Sequence, residues 1–265
     1  MGLPVSTTLA GRHALVCGAS AGIGAAAAVA LGSAGASLTL LARRLPQLQA
    51  TAAAASAAGA PAVRTLVVDL QQLRPLEVAI ADLLSTDGPV HILVNNTGGP
   101  PPGALLEADG GALLQAFERH LLASHLLVRA VVPGMRTAQY GRIINVISTS
   151  VREPLDGLGV SNTIRAAMAG WAKTLSRELP PGITINNVLP GATDTDRLAS
   201  IRDGKASVSG QTPQQVVDGW LAGIPEGRLG RPEELGAVIA FLASPAAAYV
   251  RGVSLPVDGG RLRSI

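Results

Sequence analysis

Short apolar runs alternate with longer helical stretches from one end of the chain to the other. Residues 13–17, 37–41, 64–68, 91–95, 142–147, 183–188 and 253–257 are rich in Val, Ile and Leu and are punctuated by Gly, Pro, Asn and Asp, the pattern of short strands. Between them, 24–34, 45–58, 76–84, 113–132, 164–178 and 232–242 carry the composition and spacing of helices. Gly35 and Gly59 close the first two, and Pro133-Gly134 is expected to end the fourth. Strictly alternating strands and helices predict an α/β fold, a doubly wound parallel sheet with helices on both faces. No internal repeat or linker divides the chain, so residues 1–265 are read as a single domain. Only 193–227 lacks a clear period, and an irregular segment of that length predicts a lid over a site.

Composition changes this picture little. Hydrophobic residues make up 48% and aromatics 2%, so the core must be built from Ala, Val, Leu and Ile. The net charge of +3 comes with no basic stripe, which argues against a nucleic-acid partner. The uncharged stretch 14–42 is broken by glycines and serines and reads as strand, turn, helix and strand rather than a membrane span. The letters Met1 to Ser6 fit a myristoylation pattern, which we take as chance, and no signal peptide is read, so a cytoplasmic location is expected. Cys17 stands alone, so no internal disulfide forms, and its apolar setting predicts a buried, inert thiol.

The candidate chemistry begins directly after the first strand. Gly18, Ser20, Ala21, Gly22, Ile23 and Gly24 form a glycine-rich loop that opens a helix. Such a loop lets backbone approach a pyrophosphate, and the helix N-terminus offers it unpaired N–H groups. At the end of the second strand, where a carboxylate would hold the ribose hydroxyls of NAD, the chain has Ala42 followed by Arg43 and Arg44. Guanidinium groups there suit a 2′-phosphate, so NADP(H) is expected over NAD(H).

The G-x-x-x-G-x-G spacing resembles that of the short-chain dehydrogenase/reductase family, most closely its 3-oxoacyl-carrier-protein reductase-like branch. Further marks follow in order: Asp69, Asn95-Asn96-Thr97-Gly98, Pro190-Gly191 with Thr195, and Val257-Asp258-Gly259-Gly260. The resemblance implies a Rossmann-type domain, a small-molecule substrate and a homo-oligomer, dimer or tetramer. It also implies that Asp69, Leu70, Asn95, Thr97, Gly98, Pro190, Gly191, Thr193 and Thr195 join the cofactor site.

The same resemblance implies a catalytic Ser, a Tyr four residues before a Lys, and an Asn on the long helix. Ser148 matches the Ser, but Ser161 and Arg165 stand at the Tyr and Lys positions and His120 at the Asn position. The two tyrosines, Tyr140 and Tyr249, and the lysines Lys173 and Lys205 form no Tyr-x-x-x-Lys pair. Arg165 keeps the positive charge and could also hold ribose hydroxyls, whereas a serine hydroxyl is a far weaker acid than a phenol. His120, with an ordinary pKa near 6.5, is the candidate titrating group. Arg152 and Glu153 follow Ser148 and could reach substrate, and Arg197, Arg202 and Lys205 in the 193–227 segment could favour an anionic one. Two readings follow: an NADP(H)-dependent oxidoreductase with an altered catalytic set, or a catalytically silent NADP(H)-binding sensor or assembly partner.

Overall fold

The computed structural model describes residues 6–264; Met1 to Val5 of the myristoylation-like letters lie outside the described residues. Seven parallel strands form one sheet in the order β3-β2-β1-β4-β5-β6-β7. They are β1 (His13–Cys17), β2 (Ser37–Ala42), β3 (Val63–Val67), β4 (Ile92–Asn95), β5 (Gly141–Val146), β6 (Ile183–Pro190) and β7 (Ser254–Val257). The helices are α1 (Gly22–Ser33), α2 (Leu45–Ala57), α3 (Leu73–Thr86), α4 (Gly110–Phe117), α5 (Ala123–Thr137), α6 (Gly159–Glu178), α7 (Asp196–Ser209), α8 (Pro213–Leu221) and α9 (Pro232–Ala243).

Successive side chains of a strand point to opposite faces, and the central strands feed two cores. Ala14 and Val16 of β1 pack with α1, α2 and α9 through Ala28, Leu48 and Ile239. Leu15 and Cys17 face the other way, toward Leu76, Leu127 and Ala172 of α3, α5 and α6. Small residues let α1 and α9 approach closely: a Cβ on Gly236 would lie 2.7 Å from the Ala26 carbonyl oxygen. The chain builds β1 to β3 outward, then crosses back to place β4 beside β1. That reversal leaves a crevice beyond the carboxyl ends of β1 and β4, where open α/β sheets bind ligands.

Two expectations need correction. The long helix does not end near Pro133-Gly134, because α5 continues to Thr137. Proline sits only one turn from the helix end and removes a single hydrogen bond there, so the turn survives. The segment 193–227 is not irregular either, since it holds α7 and α8. The Thr195 hydroxyl caps the first, and Thr212 with Gln215 forms a reciprocal capping box on the second.

Candidate active site

A cleft of about 960 Å³ lies over the carboxyl ends of the strands. The loop after each of β1 to β6 contributes to its wall, so side chains distant in sequence meet there. At one end is the glycine loop. Gly18 and Gly22 have φ of 60° and 54°, a region that L side chains rarely adopt. The N-cap of α1 is Ala21, which has no side-chain oxygen to cap the first-turn N–H groups, and no acidic residue stands there. The opening N–H groups of α1 therefore face the cleft with their partial positive charge uncompensated.

Gly24 is not part of the wall. A Cβ there would lie 2.2 Å from the Gly18 carbonyl oxygen, so this glycine serves the close packing of loop on helix. The Asn96 side chain ties the loop to β4 by donating to the carbonyls of Cys17 (3.3 Å) and Gly18 (3.2 Å). Asn95 points elsewhere. Its amide donates to Asn145, that of Asn145 to Asn187, and that of Asn187 to the Ser254 hydroxyl, in a ladder across β4 to β7. Asn96, rather than Asn95, lines the cleft.

Arg44 donates to the Ser20 hydroxyl at 3.3 Å, and Arg43 stands 3.7 Å from the Asp69 carboxylate. Both arginines line the cleft beside the loop, with Leu70, Thr97 and Gly98. Pro190, Gly191, Thr193 and Thr195 also line the cleft; Thr195 stands against the glycine loop, 3.1 Å from where a Cβ on Gly22 would lie, and donates to the Thr193 carbonyl. These residues fit a dinucleotide phosphate: a cradle of backbone with no room for side chains, an uncapped helix end and two guanidinium groups.

Ser148, Ser161 and Arg165 line the same cleft. Ser148 accepts from the Ser150 N–H at 3.0 Å, which leaves its hydroxyl proton to donate. Arg165 donates to the carbonyls of Val146 (3.1 Å) and Ile147 (2.8 Å) at the end of β5, and to the Ser161 hydroxyl (3.3 Å). Burial, and then the charge of Arg197, lower its pKa to about 10, so it remains cationic at neutral pH.

His120 behaves differently from the sequence expectation. It lies in a π-helical turn, Glu118–Leu122, between α4 and α5, is buried, and does not line the cleft. Burial, followed by the charges of Arg165, Arg119 and Arg197, holds its pKa well below 6.5. It is neutral where the sequence reading made it the titrating group. Neither tyrosine lines the cleft. Tyr140 donates to the Ala243 carbonyl beneath the Arg12 and Arg142 guanidinium groups, and Tyr249 is fully exposed. Cys17 is buried, and its thiol is pushed up to about 12 by that burial.

The structure adds residues that the motifs did not reveal. Arg119 lines the cleft and donates to Gln71. Trp220 of α8 and Arg261, past β7, also reach it. Arg197, read from the sequence only as one lid charge among several, donates to the Pro100 carbonyl. The only sequence signal for Arg119 and Arg197 is their position, one beside His120 and the other just after Thr195.

A parallel sheet with its ligand cleft at the reversal point, a glycine cradle on an uncapped helix and a Ser beside a fixed cation define a dinucleotide-binding oxidoreductase fold. A family profile described as Enoyl-(Acyl carrier protein) reductase matches residues 18–261. The 3-oxoacyl-(acyl-carrier-protein) reductase of Vibrio cholerae is 32% identical over 255 residues, 95% of this chain and 98% of that protein. Among solved structures, the L-sorbose reductase from Gluconobacter frateurii, complexed with NADPH and L-sorbose, superposes with a TM-score of 0.91 at 28% identity, covering 98% of this chain and 100% of that one. An actinorhodin polyketide ketoreductase variant with NADPH gives a TM-score of 0.89 at 31% identity, over 96% and 98%. The chain belongs to the short-chain dehydrogenase/reductase family.

Proposed function

We propose that this protein is an NADP(H)-dependent oxidoreductase acting on a carbonyl, or a related C=C or C=N bond, of a small molecule. The observation that carries the reading is the uncapped N-terminus of α1 with Arg44 drawn onto Ser20 beside it. Reductases bound to NADPH among the similar structures support it. The bound nicotinamide supplies or accepts the hydride.

In the reducing direction Ser148 donates a hydrogen bond to the substrate oxygen. Arg165, clamped by two carbonyls, sets a positive charge where negative charge develops. Arg165 stays protonated and His120 stays neutral, so water entering the cleft provides the proton that completes the hydroxyl. The 193–227 segment, with α7 and α8, closes over this centre as a lid. The protein works in the cytoplasm as a homo-oligomer; no described helix is long and apolar enough to cross a membrane. Exposed Phe241, Tyr249 and Val253 near the edge strand β7 support an association through that edge.

The catalytically silent reading is favoured by the Ser161 and Arg165 replacements and predicts cofactor binding without turnover. Titration with NADPH and NADH, followed through Trp220 fluorescence, tests the cofactor. Turnover of a panel of carbonyl compounds, with a Ser148→Ala, Arg165→Ala double variant, tests the chemistry. Absence of binding refutes both readings, and a double variant with wild-type turnover refutes the roles given to those residues.

A further inference from the structure

Three guanidinium groups, those of Arg119, Arg165 and Arg197, line the same cleft. All three act electrostatically on His120. Their hydrogen bonds go to neutral acceptors: Gln71 for Arg119, the Val146 and Ile147 carbonyls and Ser161 for Arg165, and the Pro100 carbonyl for Arg197. Among the described residues, the ion pairs engage other arginines: Arg43, Arg64, Arg74, Arg202, Arg228 and Arg231. The nearby Glu153 carboxylate is turned to the backbone N–H groups of Arg263 and Ser264. Asp156 and Asp196 also line the cleft, but neither forms an ion pair with these arginines.

Partly buried cations without counter-ions are costly, and a site holding several of them is built to receive an anion. Arg197 is held in place at this cleft. Pro100 and its neighbours Pro101 and Pro102 stiffen the loop whose carbonyl it grips. Gly99 leaves the guanidinium room, since a Cβ there would stand 3.2 Å from its Nη2.

We propose that Arg197, with Arg165 beside it, binds an anionic group of the substrate, so that the substrate is a small oxo acid whose carboxylate docks on Arg197 while its carbonyl meets Ser148. This rests on the oxidoreductase reading for the identity of the site, but the anion site itself is testable without turnover. The same chemistry could serve the cofactor pyrophosphate, and the experiment separates the two.

Oxamate, a carboxylate probe, and neutral oxamide are titrated calorimetrically into the protein with and without NADP+. The measurements are repeated on Arg197→Gln and Arg197→Lys, and NADP+ affinity is measured on each. The expected result is oxamate binding that oxamide does not match. Arg197→Gln weakens it by about tenfold or more, the size of a charge-assisted hydrogen bond, Arg197→Lys restores part of it, and NADP+ affinity does not change. If Arg197→Gln weakens NADP+ and spares oxamate, the guanidinium serves the cofactor and the proposal falls. Equal affinity for oxamate and oxamide, or binding of neither, also overturns it while leaving NADP(H) binding intact. Failure of NADP+ to bind refutes the oxidoreductase reading, and Arg197-dependent oxamate binding in that case would still establish the anion site.

Discussion

Substituting Gly24 tests the claim that the phosphate cradle is built by close packing. An ideal Cβ at this position lies 2.2 Å from the Gly18 carbonyl oxygen, 2.8 Å from its carbon and 2.6 Å from the Asn96 Nδ2. Neither neighbour is free to move, because Gly18 belongs to the loop and Asn96 is held by its bonds to Cys17 and Gly18. Relief of the clash in Gly24→Ala must displace the loop and break those bonds. Overpacking of this kind costs about 1–3 kcal/mol. Two lost hydrogen bonds add about 1–3 kcal/mol together. Alanine returns about 1 kcal/mol through helix propensity, leaving a net loss of roughly 1–5 kcal/mol. For a chain of this length, about 3 kcal/mol lowers the melting temperature by roughly 6–12 °C. Thermal unfolding by circular dichroism measures it, and NADPH titration should show affinity reduced as well. Gly170→Ala is the control: nothing lies within 4 Å of a Cβ there, in the middle of α6, so stability should rise by about 0.5–1 kcal/mol. Wild-type stability and NADPH affinity in Gly24→Ala would refute the packing argument.

Three further outcomes are expected. Arg44→Ser should raise the dissociation constant for NADPH by about tenfold and leave that for NADH nearly unchanged, since one charge-assisted contact to the 2′-phosphate is lost; equal weakening of both would place Arg44 elsewhere. Arg165 loses its charge only above about pH 10, so turnover should hold through neutrality and decline above that value, and Arg165→Gln should remove the alkaline limb from any residual activity. His120, His13 and His91 have folded-state pKa values below 6.5, chiefly through burial, so the unfolded chain binds more protons as pH falls. Stability should be full above pH 6.5 and drop progressively below it, with a shallower drop in His120→Asn; melting temperatures that stay flat from pH 7 to 5 would contradict the burial of these rings.

The strands, the helices other than α7 and α8, and the phosphate loop were legible in the sequence because each is a local pattern. A run such as residues 92–94 is apolar because both of its faces are covered, and a glycine loop between strand and helix is read within a few residues. The absence of a Tyr-x-x-x-Lys pair was likewise a fact of the sequence alone. Side-chain direction and burial were not. Asn95 and Asn96 are adjacent, and the turn at the strand end sends one into the ladder beneath the sheet ends and the other onto the phosphate loop. His120 has an ordinary letter and a depressed pKa because it is buried, and because Arg165 and Arg197 from distant segments, with its neighbour Arg119, add their charge. Arg119 and Arg197 belong to segments far apart in the chain, and only the crossing of the loops after β3, β4 and β6 brings them to one cleft. A sequence states the charge a residue carries. The charges it meets, and the water it loses, are set by contacts between segments that no local period encodes.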